Sequence, residues 1–252
     1  MSTTALTDTH HHDPMGAKIG MWLFLLTEFL LFGGLFLVYA QYRTQYAADF
    51  HYAAMSLDVL IGAFNTLVLL TSSLTMALAI AALERGSRRI ATVLLAVTIA
   101  SGVLFLVNKY FEWSAKFHHG LYPGSEELAG RTSGEAVFYG LYFAMTGLHA
   151  VHVIVGIAIL AAVLGIVARR PRIKVRVDDI RASGVSLTGS DGQALWQREL
   201  AEAPEAVELA LVYPENAEVR HRQVILMENC GLYWHLVDVI WIFLFPLFYL
   251  IS

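Results

Sequence analysis

The sequence predicts an all-α integral membrane protein with five transmembrane helices in a bundle, and three observations carry that reading. Hydrophobic residues make up 57% of the 252 residues and charged residues 15%, which lies outside ordinary soluble usage. The apolar residues gather into long runs with few or no charges, and roughly 20 such residues cross a hydrocarbon core. The basic residues near helix ends fall mostly on one side of the membrane, as they do on a cytoplasmic face.

Taken in order, residues 1–17 read as a disordered tail containing His10, His11 and His12; without Lys or Arg it lacks the pattern of a signal or transit peptide. Residues 18–170 hold the first four helices. Their apolar runs are Ile19–Tyr42, interrupted only by Glu28, then Val59–Leu83, Ile90–Val107 and Ala136–Ala168. The last of these is about 50 Å long at about 1.5 Å per residue, more than a membrane needs, so it projects or tilts. Residues 171–226 form a polar insert, and residues 227–252 the fifth helix.

Lys18, Arg85, Arg88, Arg89 and the run Arg169, Arg170, Arg172, Lys174, Arg176 share one side, which places the N-terminus inside and the C-terminus outside. Within the insert, Ile173, Val175, Val177 and then Val185, Leu187 alternate with polar residues around the turn-forming Ser190, Asp191, Gly192. That pattern reads as a small β-hairpin, with a charged loop as the alternative. Ala217–Met227 reads as a helix leading into the last span. One cysteine, Cys230, excludes an internal disulfide framework, and a net charge of −4 without a basic patch gives nucleic-acid binding no support.

Polar residues inside the runs are the candidate functional groups, since ionisable side chains in hydrocarbon are costly and turn toward protein. Glu28 is either a proton-exchanging carboxyl or a protonated clip between helices. His149 and His152 share a helical face, for interhelical hydrogen bonding or, as the alternative, metal or haem ligation. His235 and Asp238, preceded by Trp234, form a second pair at helical spacing that can share a proton or a hydrogen bond. Trp113 with Glu112, and Asn65 with Thr66, Ser72 and Ser73, add polar contacts within or near helices, and Gly147, Gly156 and Gly165 allow close helix approach.

Four stretches in sequence order resemble the subunit III family of haem–copper cytochrome c oxidases. They are Gly20–Phe29, with Glu28; Asn65, Thr66, Leu69, Leu70, Ser72 and Ser73; Met145–Val153, with His149 and His152; and Tyr233–Trp241, with Trp234, His235 and Asp238. The resemblance covers nearly the whole chain except residues 1–15 and the insert. Larger family members have seven helices, and this chain resembles the last five.

The resemblance implies a non-catalytic subunit that binds no cofactor itself and packs beside a catalytic subunit I carrying haem and copper. There it would stabilise that subunit and support proton uptake during aerobic electron transport and proton translocation in a bacterial plasma membrane. Glu28 then matches the family's buried carbodiimide-reactive glutamate. Bound phospholipid is implied, with lipid contacts expected among His149, His152, Trp234 and His235, and residues 171–226 are expected to dock another respiratory subunit. The equivalent subunit of a quinol oxidase or nitric oxide reductase is a related alternative. A stand-alone proton channel or transporter built on Glu28, His235 and Asp238 is one of a different class.

Overall fold

A backbone N–H or C=O left unpaired in hydrocarbon costs several kcal/mol, so each apolar run closes its own hydrogen-bond ladder as a helix. The computed structural model describes residues 14–168, 172–176, 206–210 and 217–250. Five long apolar helices span the fold: α1 (Pro14–Gln45), α3 (Val59–Glu84), α4 (Arg88–His118), α6 (Ser133–Ala168) and α7 (Ala217–Tyr249). Two short helices, α2 (Ala47–Ala54) and α5 (Glu126–Ala129), lie in the loops.

Local chemistry sets the boundaries. The Asp58 carboxylate caps α3 by accepting from the Leu60 and Ile61 amides at 2.9 and 3.2 Å. The α3–α4 turn is a tight reversal in which Gly86 adopts a φ of 77°, a conformation that side chains other than glycine resist. Ser125 caps α5 through the Leu128 amide at 3.2 Å. The last helix begins at Ala217, ahead of the boundary at 227 that hydropathy suggests, and the leading segment and the span are one helix. Val224 and Met227 explain the extension, because they continue its apolar face against the core.

Hydrophobicity gives helices little reason to associate in lipid, so close packing and interhelical hydrogen bonds must hold them. The stripe along α3 does this on two sides. Toward α4, Asn65 Oδ1 accepts from Asn108 at 2.8 Å and Thr75 meets Thr98 at 2.8 Å. Toward α7, Thr66 and Ser72 accept from the indole N–H groups of Trp241 and Trp234, at 3.1 and 3.0 Å. Gly102 and Gly156 let α4 and α6 close on the six-membered ring of Trp234, where an added Cβ would come within 2.7 and 2.9 Å. Gly147 packs on Trp113 in the same way at 3.2 Å, whereas Gly165 faces open space.

α1 is the least embedded span, with 11% of its apolar window buried against 50% for α7. Polar ties along its length hold it. Lys18 pairs with Glu228 at 2.9 Å, Glu28 with His152 at 2.8 Å, and the Tyr39 hydroxyl donates to the Leu247 carbonyl, one of the orphan acceptors at the end of α7. These residues follow one another at intervals of about 15 Å along the helix, so Glu28 falls near the middle of a core about 30 Å thick, with the other two near its edges.

In the insert, β1 (Arg172–Arg176) pairs antiparallel with β2 (Ala206–Ala210), with Lys174 opposite Glu208. The first expected strand therefore forms, but its partner is the 206–210 segment. Val185 and Leu187 of the expected hairpin, the turn cluster at Ser190, Asp191 and Gly192, and the tail histidines lie outside the described residues.

Candidate functional site

Glu28 and His152 reach each other across the α1–α6 contact near mid-span. His152 Nδ1 lies 2.8 Å from the Leu148 carbonyl and Nε2 lies 2.8 Å from Glu28 Oε2. A carbonyl can only accept, so Nδ1 carries a hydrogen. The remaining contact then holds one proton, either on a carboxylic acid donating to a neutral imidazole or on an imidazolium donating to a carboxylate. Phe32 packs edge-on against the imidazole at 5.3 Å, and the Tyr233 hydroxyl donates to the His152 carbonyl at 3.1 Å.

His235 and Asp238 do not serve as each other's partners. His235 Nδ1 meets the Ser73 hydroxyl at 2.6 Å, and Asp238 Oδ2 accepts from Ser72 at 3.5 Å. Both residues thus tie α7 to α3 through adjacent serines. Trp234, fully buried, reaches the same Ser72, so this hydroxyl is a junction for two residues of α7.

His149 departs from the expectation of interhelical hydrogen bonding. It is fully buried and neither ring nitrogen has a hydrogen-bond partner. Its environment is aromatic: Phe105 stands edge-on at 5.5 Å and Trp241 lies tilted at 5.3 Å. His149 and Trp234 are buried within the bundle, while His152 and His235 are partly exposed.

The most heavily charged buried group among the described residues was only half visible in the sequence, which marks Glu112 as a polar contact but not Lys109. Lys109 and Glu112 are buried on one face of α4 and pair at 3.0 Å. Lys109 also donates to the hydroxyls of Tyr142 on α6 and Tyr249 on α7, both at 3.1 Å. The two hydroxyls in turn donate to Glu112 Oε1, Tyr142 at 2.6 Å and Tyr249 at a shorter contact. All three ammonium hydrogens are used and both carboxylate oxygens accept, the arrangement that suits an ionised pair. A step along α4, Lys116 donates to the Ser56 carbonyl and hydroxyl, and that hydroxyl meets Tyr139 at 2.8 Å. The available signal was Lys109 and Glu112 at i, i+3 spacing directly after an apolar run.

The family model for cytochrome c oxidase subunit III matches residues 2–169. The chain belongs to that family. Among relatives, cytochrome c oxidase subunit 3 of Thermostichus vulcanus is 27% identical over 99% of this chain and 94% of its own length. A probable quinol oxidase subunit 3 of Staphylococcus saprophyticus is 25% identical over 97% of this chain and 94% of its own length. A heme-copper oxidase subunit I+III of Aeropyrum pernix is 26% identical over 93% of this chain, which spans 22% of that longer protein. The family match takes in α1, α3, α4 and α6 entire, and with them both Glu28 and His152.

Proposed function

We propose that this subunit III works as the non-catalytic subunit of a cytochrome c oxidase, packed against a haem–copper catalytic subunit I that it stabilises and whose proton uptake it supports. The observation that carries the reading is the family match over residues 2–169, and the fused I+III relative supports association with subunit I. In this reading the chain lies in a bacterial plasma membrane with its N-terminus and insert inside, following the one-sided distribution of Arg and Lys. Haem and copper belong to the partner, and phospholipid packs around the bundle.

Glu28 acts here through its shared proton with His152, coupling the docking of α1 to protonation. Residues 171–226 face a further respiratory subunit, a role supported by the strand pairing of β1 with β2. A quinol-oxidising complex is the second reading, favoured by the relative in Staphylococcus saprophyticus.

Purification in mild detergent tests both readings. Copurification of a haem–copper subunit together with oxidation of reduced cytochrome c supports the first, and oxidation of quinol alone supports the second. Recovery of the chain without any haem-bearing partner overturns both.

A further inference from the structure

α1 and α3 pack on α7 from two sides and leave one stripe of it open. Phe24 and Phe36 of α1 lie against Tyr233 and Phe243, with ring centroids 6.0 and 6.1 Å apart. Ser72 and Ser73 of α3 engage Trp234, His235 and Asp238. Between these contacts run His235, Val239, Ile242 and Pro246, which share one helical face and are all partly or well exposed.

Two polar atoms on this stripe lack what the chain supplies elsewhere. His235 Nδ1 is held by Ser73, whereas Nε2 has no hydrogen-bond partner among the described residues and is not sealed inside the bundle. Exposed hydroxyls on other helices satisfy themselves: Thr27, Thr71 and Ser101 bond back to carbonyls of their own helices at 2.7, 2.8 and 3.0 Å. Nε2 has no such recourse. Two turns along α7, Pro246 brings no N–H to the Ile242 carbonyl, which so loses its regular helical donor.

Depth decides what can meet these atoms. Ser73 lies about 2 Å along the axis from the middle of α3, so its partner His235 sits near the midplane, with Ile242 about 10 Å away along α7. Lipid headgroups begin about 15 Å from the midplane, so a lipid offers only acyl chain at His235. A second membrane-crossing helix does bring polar side chains to that depth. Gly33 of α1, on the same helical face as Phe36, has nothing within 4 Å of an added Cβ and leaves room for close approach.

We infer that the His235–Pro246 stripe of α7 seats a transmembrane helix of a partner chain, one that brings a hydroxyl, amide or carboxyl side chain to His235 Nε2. The inference rests on the subunit reading and adds to it the face through which the chain meets its complex.

Photo-crosslinking in the native membrane tests it, with a benzophenone side chain placed at Val239 on the stripe or, as a control, at Val103, an exposed mid-span position of α4. Val239 should couple to one span of a partner chain, identified by mass spectrometry, that carries such a hydrogen-bonding side chain beside the coupled residue. Val103 should not couple to that span. His235→Leu should speed release of the partner from the detergent-solubilised complex by about three- to fifteenfold, the range of interhelical hydrogen bonds in membranes. Ser73→Ala loosens the chain internally but keeps Nε2, so it should leave the release rate unchanged. Adducts with lipid alone, with a second copy of this chain or with a span that is apolar at that point overturn the inference, as does equal release from the two variants. Copurified haem is scored separately. A haem-bearing partner without coupling at Val239 sinks this inference alone, and coupling to a partner span in a preparation without haem sinks the subunit reading alone.

Discussion

Glu28 on α1 and His152 on α6 share a single proton across 2.8 Å near the middle of the bundle. A glutamine amide can donate to Nε2 as a carboxylic acid does, so Glu28→Gln keeps the bond and removes the exchangeable acid. It should keep the chain assembled with its partner and stable to within about 1 kcal/mol. Enzyme lifetime during turnover, or proton uptake, should change; unchanged turnover kinetics and inactivation rate would reduce Glu28 to a structural clip. Glu28→Leu strands the imidazole and should cost about 1–3 kcal/mol in detergent-unfolding titrations.

The Lys109–Glu112 pair should tolerate single substitutions poorly. Lys109→Met leaves a buried carboxylate with two tyrosine donors and only the more distant Lys116 as countercharge, a loss of about 3 kcal/mol. The double variant Lys109→Met, Glu112→Gln should recover much of that, which a thermal-unfolding cycle on the purified chain measures. Additive losses would mean that the pair is not coupled.

Close approach at Trp234 gives a steric prediction. An added Cβ at Gly156 sits 2.9 Å from two carbons of the indole ring, so Gly156→Val should lower stability by about 1–3 kcal/mol and disturb tryptophan fluorescence. Gly140→Ala, where nothing lies within 4 Å, is the control and should cost nothing measurable.

His149 predicts the opposite sign from most buried polar residues. Its nitrogens make no hydrogen bond, so His149→Phe exchanges an unsatisfied ring for an apolar one beside Phe105 and Trp241. Stability in thermal scans should hold or rise. A loss above about 2 kcal/mol would show that the nitrogens have a role that packing does not reveal.

Hydropathy made the five helices legible because a span must be apolar along its length, whatever it packs against. The Lys109 cluster was hidden for the converse reason. Apolar composition fades after Val107, yet α4 continues to His118, because hydroxyls from Tyr142 and Tyr249 on other helices satisfy its charges. His235 and Asp238 illustrate a second limit: i, i+3 spacing shows that two groups share a face but not what stands opposite, and here serines on α3 do. The β1–β2 pair shows a third. Alternation marked Ile173 and Val175 as a strand, but pairing with 206–210 depends on a long-range closure that local alternation does not encode.

The ties that hold α1 also impose an order on biogenesis. Lys18, Glu28 and Tyr39 find hydrogen-bond or ion-pair partners on α6 and α7, which are synthesised well after α1. While those are still being translated, α1 waits in the bilayer with its acid unpaired, a costly state that favours shelter by the insertion machinery or a neighbouring subunit. α1 is therefore locked in place only after the helices that follow it, and damage to α7 should appear first as an α1 that never docks.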